Sequence, residues 1–142
     1  MTSDGMALAA IVILLFPMGY FFLASPAFLL VKLDIPPVTQ LLRGMFNAHF
    51  LMMRIAAIIG TVTFALTGRP IFAVVVTLVA AFVMWVRGWL LQKWDTELSA
   101  RDAGDATAVR RLRRLHWVGM LCNAILLIAV IASIPYVSTT AT

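Results

Sequence analysis

The chain has 142 residues, 63% of them hydrophobic and 12% charged, with a net charge of +5. A soluble domain carries roughly twice that charged fraction, so an ordinary water-soluble globular fold is excluded and the excess apolar surface calls for lipid. The single cysteine, Cys122, cannot form an intrachain disulfide and reads as a small buried hydrophobe.

A bilayer core of about 30 Å takes about 20 helical residues to cross. Four apolar runs meet that length: Leu8–Val31, Met45–Leu66, Pro70–Leu91 and Trp117–Val137. They predict an all-α fold, a four-helix transmembrane bundle of up-down topology, as one integral membrane domain over residues 1–142. The segment Met1–Gly5 carries Asp4 and lacks the basic region of a secretory signal, so helix one is expected to be retained. Pro17 and Pro26 predict a kink in it, tolerated where neighbours or Ser25 satisfy the freed carbonyls. Helix one is expected to stop before Pro36-Pro37. Helix two begins amphipathically near Val38 and enters the apolar region at about Met45. Gly68 and Pro70 make a tight turn into helix three. Trp85, Trp89 and Trp94 near the end of that helix, with Trp117, are expected to form an interfacial aromatic belt. Asp95–Ala108 reads as the one substantial loop, with Asp105 or Thr107 placed to cap helix four. Pro135 is expected to mark the end of that helix, and Ser138–Thr142 to form a polar tail.

Charge sets the expected orientation. The first loop carries Lys32 and Arg43, and the third carries Lys93, Arg101, Arg110, Arg111, Arg113 and Arg114. The second connection carries Arg69, and neither tail has a Lys or Arg. The positive-inside rule then puts the first and third loops in the cytoplasm and both termini outside it, in an inner or plasma membrane. Arg110, Arg111, Arg113 and Arg114 open helix four, where cations oppose the helix dipole. Contact with anionic lipid headgroups is their expected role. A short juxtamembrane segment with no fold around it does not make a nucleic-acid site.

Ionisable groups at membrane depth point to function. Counting from Met45 at 1.5 Å per residue, Arg54 lies roughly 13 Å deep, His49 about 6 Å and Asn47 about 3 Å. Arg87 lies about 6 Å inside the end of helix three, His116 at the start of helix four and Asn123 about 9 Å in. His116 and Asn123 share one helix face with Gly119 and Met120. Arg43, Asn47 and Arg54 form a stripe on helix two, and His49 lies about 200° from Asn47, on another face. The bland readings are that Arg87 snorkels, each histidine makes an interhelical hydrogen bond, and Asn123 ties helices together. Arg54 is harder to place, because none of the four apolar runs contains an acidic residue. Its candidate partners are Tyr20 on helix one, carbonyls around Pro17, water, or an anionic ligand. Two histidines on parallel helices also raise bis-histidine haem, with arginines holding the propionates. A discrete metal is disfavoured, since two histidines without carboxylate or thiolate partners make a sparse ligand set.

Three pieces of sequence carry a resemblance: Leu115-His116-x-x-Gly119-x-Leu121-Cys122-Asn123, Met45-Phe46-x-x-His49-Phe50, and Met84-Trp85. This pattern resembles the small four-helix membrane proteins of unknown function related to the eukaryotic transmembrane proteins associated with platinum-drug resistance. The anthrone-oxygenase-like four-helix membrane proteins are a second likeness. The first resemblance implies a four-helix fold and marks His116 and Asn123, with Gly119 standing where that family usually has a small polar residue. Neither family supplies an agreed reaction. Three function classes follow. One is a membrane protein binding a small anionic or lipid-like ligand in a cytoplasm-facing pocket of Arg54, His49, His116, Asn123, Asn47, Arg87 and Tyr20. Another is an accessory subunit of a larger membrane complex; the expected assembly is a homo-oligomer or such a complex. The third is a haem- or quinone-linked oxidoreductase.

Overall fold

The computed structural model describes residues 2–139. These are all-helical: α1 spans Ser3–Ala24 and is continued by a 3-10 turn over Ser25–Leu29, α2 spans Pro36–Leu66, α3 Pro70–Asp102 and α4 Ala108–Thr139. All four are long and apolar enough to cross a membrane. Thr2 caps α1 by accepting the Gly5 N–H at 3.2 Å. Pro17 is accommodated inside α1, whereas Pro26 coincides with the change from α to 3-10 geometry. Helix one therefore ends earlier than its apolar run. Pro36 and Pro37 begin α2, where a missing N–H has no helical acceptor to lose. The turn between α2 and α3 uses Gly68 at φ +74°, a left-handed position that favours glycine.

Four expectations from the sequence need correction. Asp95–Asp102 is not loop: α3 continues through it, and the connection shrinks to residues 103–107. Leu90, Trp94 and Leu98 keep an apolar stripe at helical spacing through this polar stretch and pack into the core. Pro135 does not end α4, which runs through it to Thr139. Trp94 is not part of an exposed belt. It is 1% exposed and packs on Phe46, with ring centroids 5.7 Å apart, while Trp85, Trp89 and Trp117 face outward. The expected polar tail begins inside α4, and its residues 140–142 lie outside the described part of the chain.

Each helix runs antiparallel to the next. Arg43 meets Asp95 while Thr61 meets Thr77, so α2 and α3 run in opposite directions. Asn123 meets Met18 while His116 meets Ser25, so α4 and α1 do too. The start of α1, the last turns of α4 and the α2–α3 turn therefore lie at one end. The other connections gather at the opposite, basic end. Residues Ala7, Ala10, Ala56, Ala57 and Ala73 dominate the packing at the terminal end, where small side chains let backbones approach. Phe21, Phe46, Phe50 and Trp94 fill the core towards the basic end.

Candidate functional site

The predicted polar residues separate into three groups. The first ties α1 to its neighbours. His49 Nδ1 lies 3.2 Å from the Pro17 carbonyl and Asn123 Nδ2 donates to the Met18 carbonyl at 3.0 Å. His116 Nε2 and Ser25 Oγ share a hydrogen bond at 2.7 Å. The two carbonyls adjoin the proline, and the serine begins the 3-10 turn, so α2 and α4 grip helix one where its regular geometry is interrupted. All four polar side chains of this group are buried. Asn123 Oδ1, His116 Nδ1 and Trp94 Nε1 are buried with no partner among the described residues.

Aromatic rings join the two histidines. Phe21 lies 4.4 Å from His49 and 5.0 Å from Phe46, and Phe46 stands edge-on to His116 at 5.9 Å, all between centroids. A planar macrocycle ligated by both imidazoles would have to displace Phe21 and Phe46.

The second group is a ladder of polar pairs along the α2–α3 seam. Arg43 is bidentate on Asp95 at 2.5 and 2.8 Å, Arg87 donates to Asn47 Oδ1 at 2.7 Å, and Thr61 pairs with Thr77 at 3.2 Å. This answers the phase conflict on helix two. The Arg43–Asn47 stripe faces α3 while His49 faces α1, so both polar faces are inward. Arg87 uses one of its N–H donors on the neutral Asn47 amide.

Arg54 occupies the ladder position between Asn47 and Thr61, and forms no hydrogen bond or ion pair with the described residues. The carbonyls of Pro17 and Met18, adjoining the proline, are engaged by His49 and Asn123, and Tyr20 points outward at 55% exposure. Instead Arg54 lies on the wall of a cavity of about 200 Å³, with Met53, Val79, Val83, Leu126 and Val130 among the apolar side chains around it. Arg54 is the one charged residue on that wall, and Ser133 adds a hydroxyl deeper towards the terminal end. A smaller space of about 30 Å³ between α2, α3 and α4 touches His49, Cys122 and Asn123. The predicted site is thus divided: Arg54 lines the larger cavity, and the histidines and Asn123 lie in the interior near α1.

Arginines dominate the third group, at the basic end, and much of their charge is used internally. Arg113 donates to the Leu29 and Val31 carbonyls at 2.8 and 3.0 Å, satisfying the end of the 3-10 turn. Arg101 reaches Thr39 Oγ1 at 2.7 Å, and Arg111 reaches both Glu97 and Asp105 at 2.7 Å. Arg110 and Arg114 stay exposed, their side chains without such partners among the described residues. Asp105 takes the Thr107 N–H at 2.8 Å ahead of α4, and Thr107 in turn accepts from Arg111. The Arg111 guanidinium, and then the Thr107 hydroxyl and amide, hold the Asp105 carboxyl well below the usual carboxylate range.

Sequence reasoning missed Arg69. It is 3% exposed, donates from Nε to the Val137 carbonyl at 3.1 Å, and is ion-paired through Nη2 with Asp4. It thereby joins the start of α1, the α2–α3 turn and the end of α4. Its pairing with Asp4, 65 positions away, left no local pattern to detect. No family model, curated protein or solved structure matches this chain.

Proposed function

We propose that the chain is an integral membrane protein, its basic end cytoplasmic and both termini on the other side. In this reading it binds an anionic, lipid-like molecule in the Arg54 cavity. The observation that carries it is Arg54, exposed and unpaired among the described residues, between paired rungs of the α2–α3 ladder, on a cavity wall whose other lining residues are apolar except Ser133. An arginine at the centre of a spanning helix costs about 2.5–3.5 kcal/mol on insertion scales, a cost that a companion anion offsets. Few polar groups converging on a mainly apolar cavity is the usual composition of a small-molecule site. The apolar part of the ligand lies against Val79, Val83 and Val130, and its anionic end meets Arg54. His49, His116, Asn123, Asn47 and Arg87 hold the helices that frame the cavity.

The test uses protein purified in a mild nonionic detergent, with oleate and oleyl alcohol as matched probes. Oleate should raise the melting temperature more than the alcohol, and Arg54→Leu should lose that difference while still inserting and purifying. Equal responses to the two probes, or an unchanged preference in Arg54→Leu, would reject the site.

The accessory-subunit reading draws on the same residue, since a carboxylate on a neighbouring helix would also neutralise Arg54. The outward apolar faces of α3 and α4 give such a helix a surface. It predicts that Arg54→Leu releases the chain from a larger complex on native gels, with no oleate preference in either form.

A further inference from the structure

We infer that the outer face of α4 at the basic end seats one anionic phospholipid of the cytoplasmic leaflet. This rests on the proposed membrane orientation, and concerns a site separate from the Arg54 cavity. Arg110, Arg114, Trp117, Leu121 and Ile125 follow at steps of four, three, four and four, which keeps them on one stripe of the helix. Trp117, Leu121 and Ile125 are 54%, 61% and 58% exposed. A groove of about 340 Å³ runs beside this stripe, bounded by Phe22 of α1 and by Arg114, Trp117, Leu121 and Ala124 of α4. From Arg114 to Ala124 the helix rises about 15 Å. That is half of a core of about 30 Å, the depth of one leaflet.

The order of chemistry along the groove is that of a phospholipid. Two guanidiniums one turn apart stand at the headgroup level, an indole follows at the interface, and apolar walls continue beneath. Charge decides which lipid. Arg111 and Arg113 are occupied by Glu97, Asp105 and backbone carbonyls, so the basic segment offers Arg110 and Arg114 outward as a pair. Guanidiniums bind phosphate through paired N–H donors. A net-anionic headgroup is favoured over a zwitterionic one, whose choline competes for the phosphate.

The experiment is native mass spectrometry of the detergent-solubilised chain, titrated with phosphatidylglycerol and with phosphatidylcholine of the same acyl chains. The first bound lipid should be phosphatidylglycerol. Arg110→Gln and Arg114→Gln should each weaken it roughly fivefold, and together about 25-fold. Lys93→Gln removes one exposed charge from the same end without touching the groove, and should leave the preference intact. Leu121→Trp fills the chain groove while keeping both arginines, and should weaken retention of either lipid. No preference in the wild type would overturn the proposal. So would a loss in Lys93→Gln equal to that in Arg114→Gln, which marks diffuse attraction rather than a seat.

Discussion

Gly119 of α4 faces the Phe46 ring of α2 so closely that a Cβ on it would stand 2.4 Å from Cε1 and 2.7 Å from Cζ. The two helices are diagonal in the bundle, and Phe46 crosses the core between them, reaching Phe21, Trp94 and His116 on the way. A ring so enclosed has little room to retreat. Gly119→Ala should therefore destabilise the bundle by about 1–3 kcal/mol, the range of overpacked cores. Thermal unfolding in detergent measures it. Combining it with Phe46→Leu should cost less than the two separate losses added together, because the smaller side chain removes the clash. Strict additivity would show that the strain lies elsewhere.

The two histidines are not equivalent. His116 is 0% exposed and holds the buried Ser25 hydroxyl at 2.7 Å, whereas His49 meets a carbonyl at 3.2 Å inside α1. That carbonyl retains the helix's own N–H when His49 is lost. Removing His116 leaves the Ser25 hydroxyl unpaired, at a cost of about 1–3 kcal/mol. His116→Ala should accordingly lower the melting temperature more than His49→Ala does. In a Ser25→Ala background the effect of His116→Ala should shrink. An equal effect in both backgrounds would place the contribution of His116 in packing instead.

The four helices and the inward face of His116, Gly119 and Asn123 were legible because each follows from spacing within one segment. Apolar length marks a span, and a seven-residue step marks a face. What those faces meet was not legible. The phase of His49 against Asn47 showed two polar faces on one helix, but pairing with α1 and α3 depends on how the helices pack. The polar residues from Asp95 to Asp102 read as loop because Arg43, Thr39 and Arg111, which hold several of them, lie on other helices. The cue that stood against a loop was the Leu90-Trp94-Leu98 stripe, whose period outlasts the apolar run. Arg69 was read for its charge alone, and its partners come from both ends of the chain.

Arg69 leads to a prediction at the terminal end. Its side chain is 1% exposed, while that of Asp4 is 47% exposed. Deleting the arginine leaves a carboxylate that still reaches solvent, so the loss is that of charge-assisted hydrogen bonds rather than of a stranded buried charge. Arg69→Gln should cost about 2–3 kcal/mol. Asp4→Asn should cost more than an exposed ion pair because it leaves the buried guanidinium, still bonded to the Val137 carbonyl, without a counter-charge. Hydrogen exchange should quicken in the first turn of α1 and the last described turns of α4 together. Faster exchange confined to the α2–α3 turn would contradict the clasp.

Acid should release the α3–α4 connection. Asp105 is held below the ordinary carboxylate range by Arg111 and then by Thr107. A depressed folded pKa adds stability above the unfolded value, about 3.9, and that stability disappears as pH falls through the lower folded one. At pH 7 the Thr107 amide, bonded to Asp105 at 2.8 Å, should exchange more slowly in the wild type than in Asp105→Asn, after correction for intrinsic exchange. The corrected difference should close at a pH below the ordinary carboxylate range. A difference that closes near pH 6 would assign the protection to another group.

The last prediction concerns orientation, on which the lipid seat depends. Arg69 at the terminal end is ion-paired with Asp4 and buried, so it offers little outward charge. At the other end Lys32, Lys93, Arg110 and Arg114 are exposed without ion pairs among the described residues. The asymmetry of available charge is therefore sharper than the residue count implies, and the positive-inside rule favours a cytoplasmic basic end. Ser3 and Ala103 are both exposed, at opposite ends of the bundle. In a Cys122→Ala background, Ser3→Cys should react with a membrane-impermeant maleimide in intact cells, whereas Ala103→Cys should react only after permeabilisation. The reverse pattern would turn the bundle over and move the Arg110–Arg114 pair to the outer leaflet. Labelling of both sites in intact cells, with the membrane verified closed, would show either mixed insertion or a bundle that does not span the bilayer.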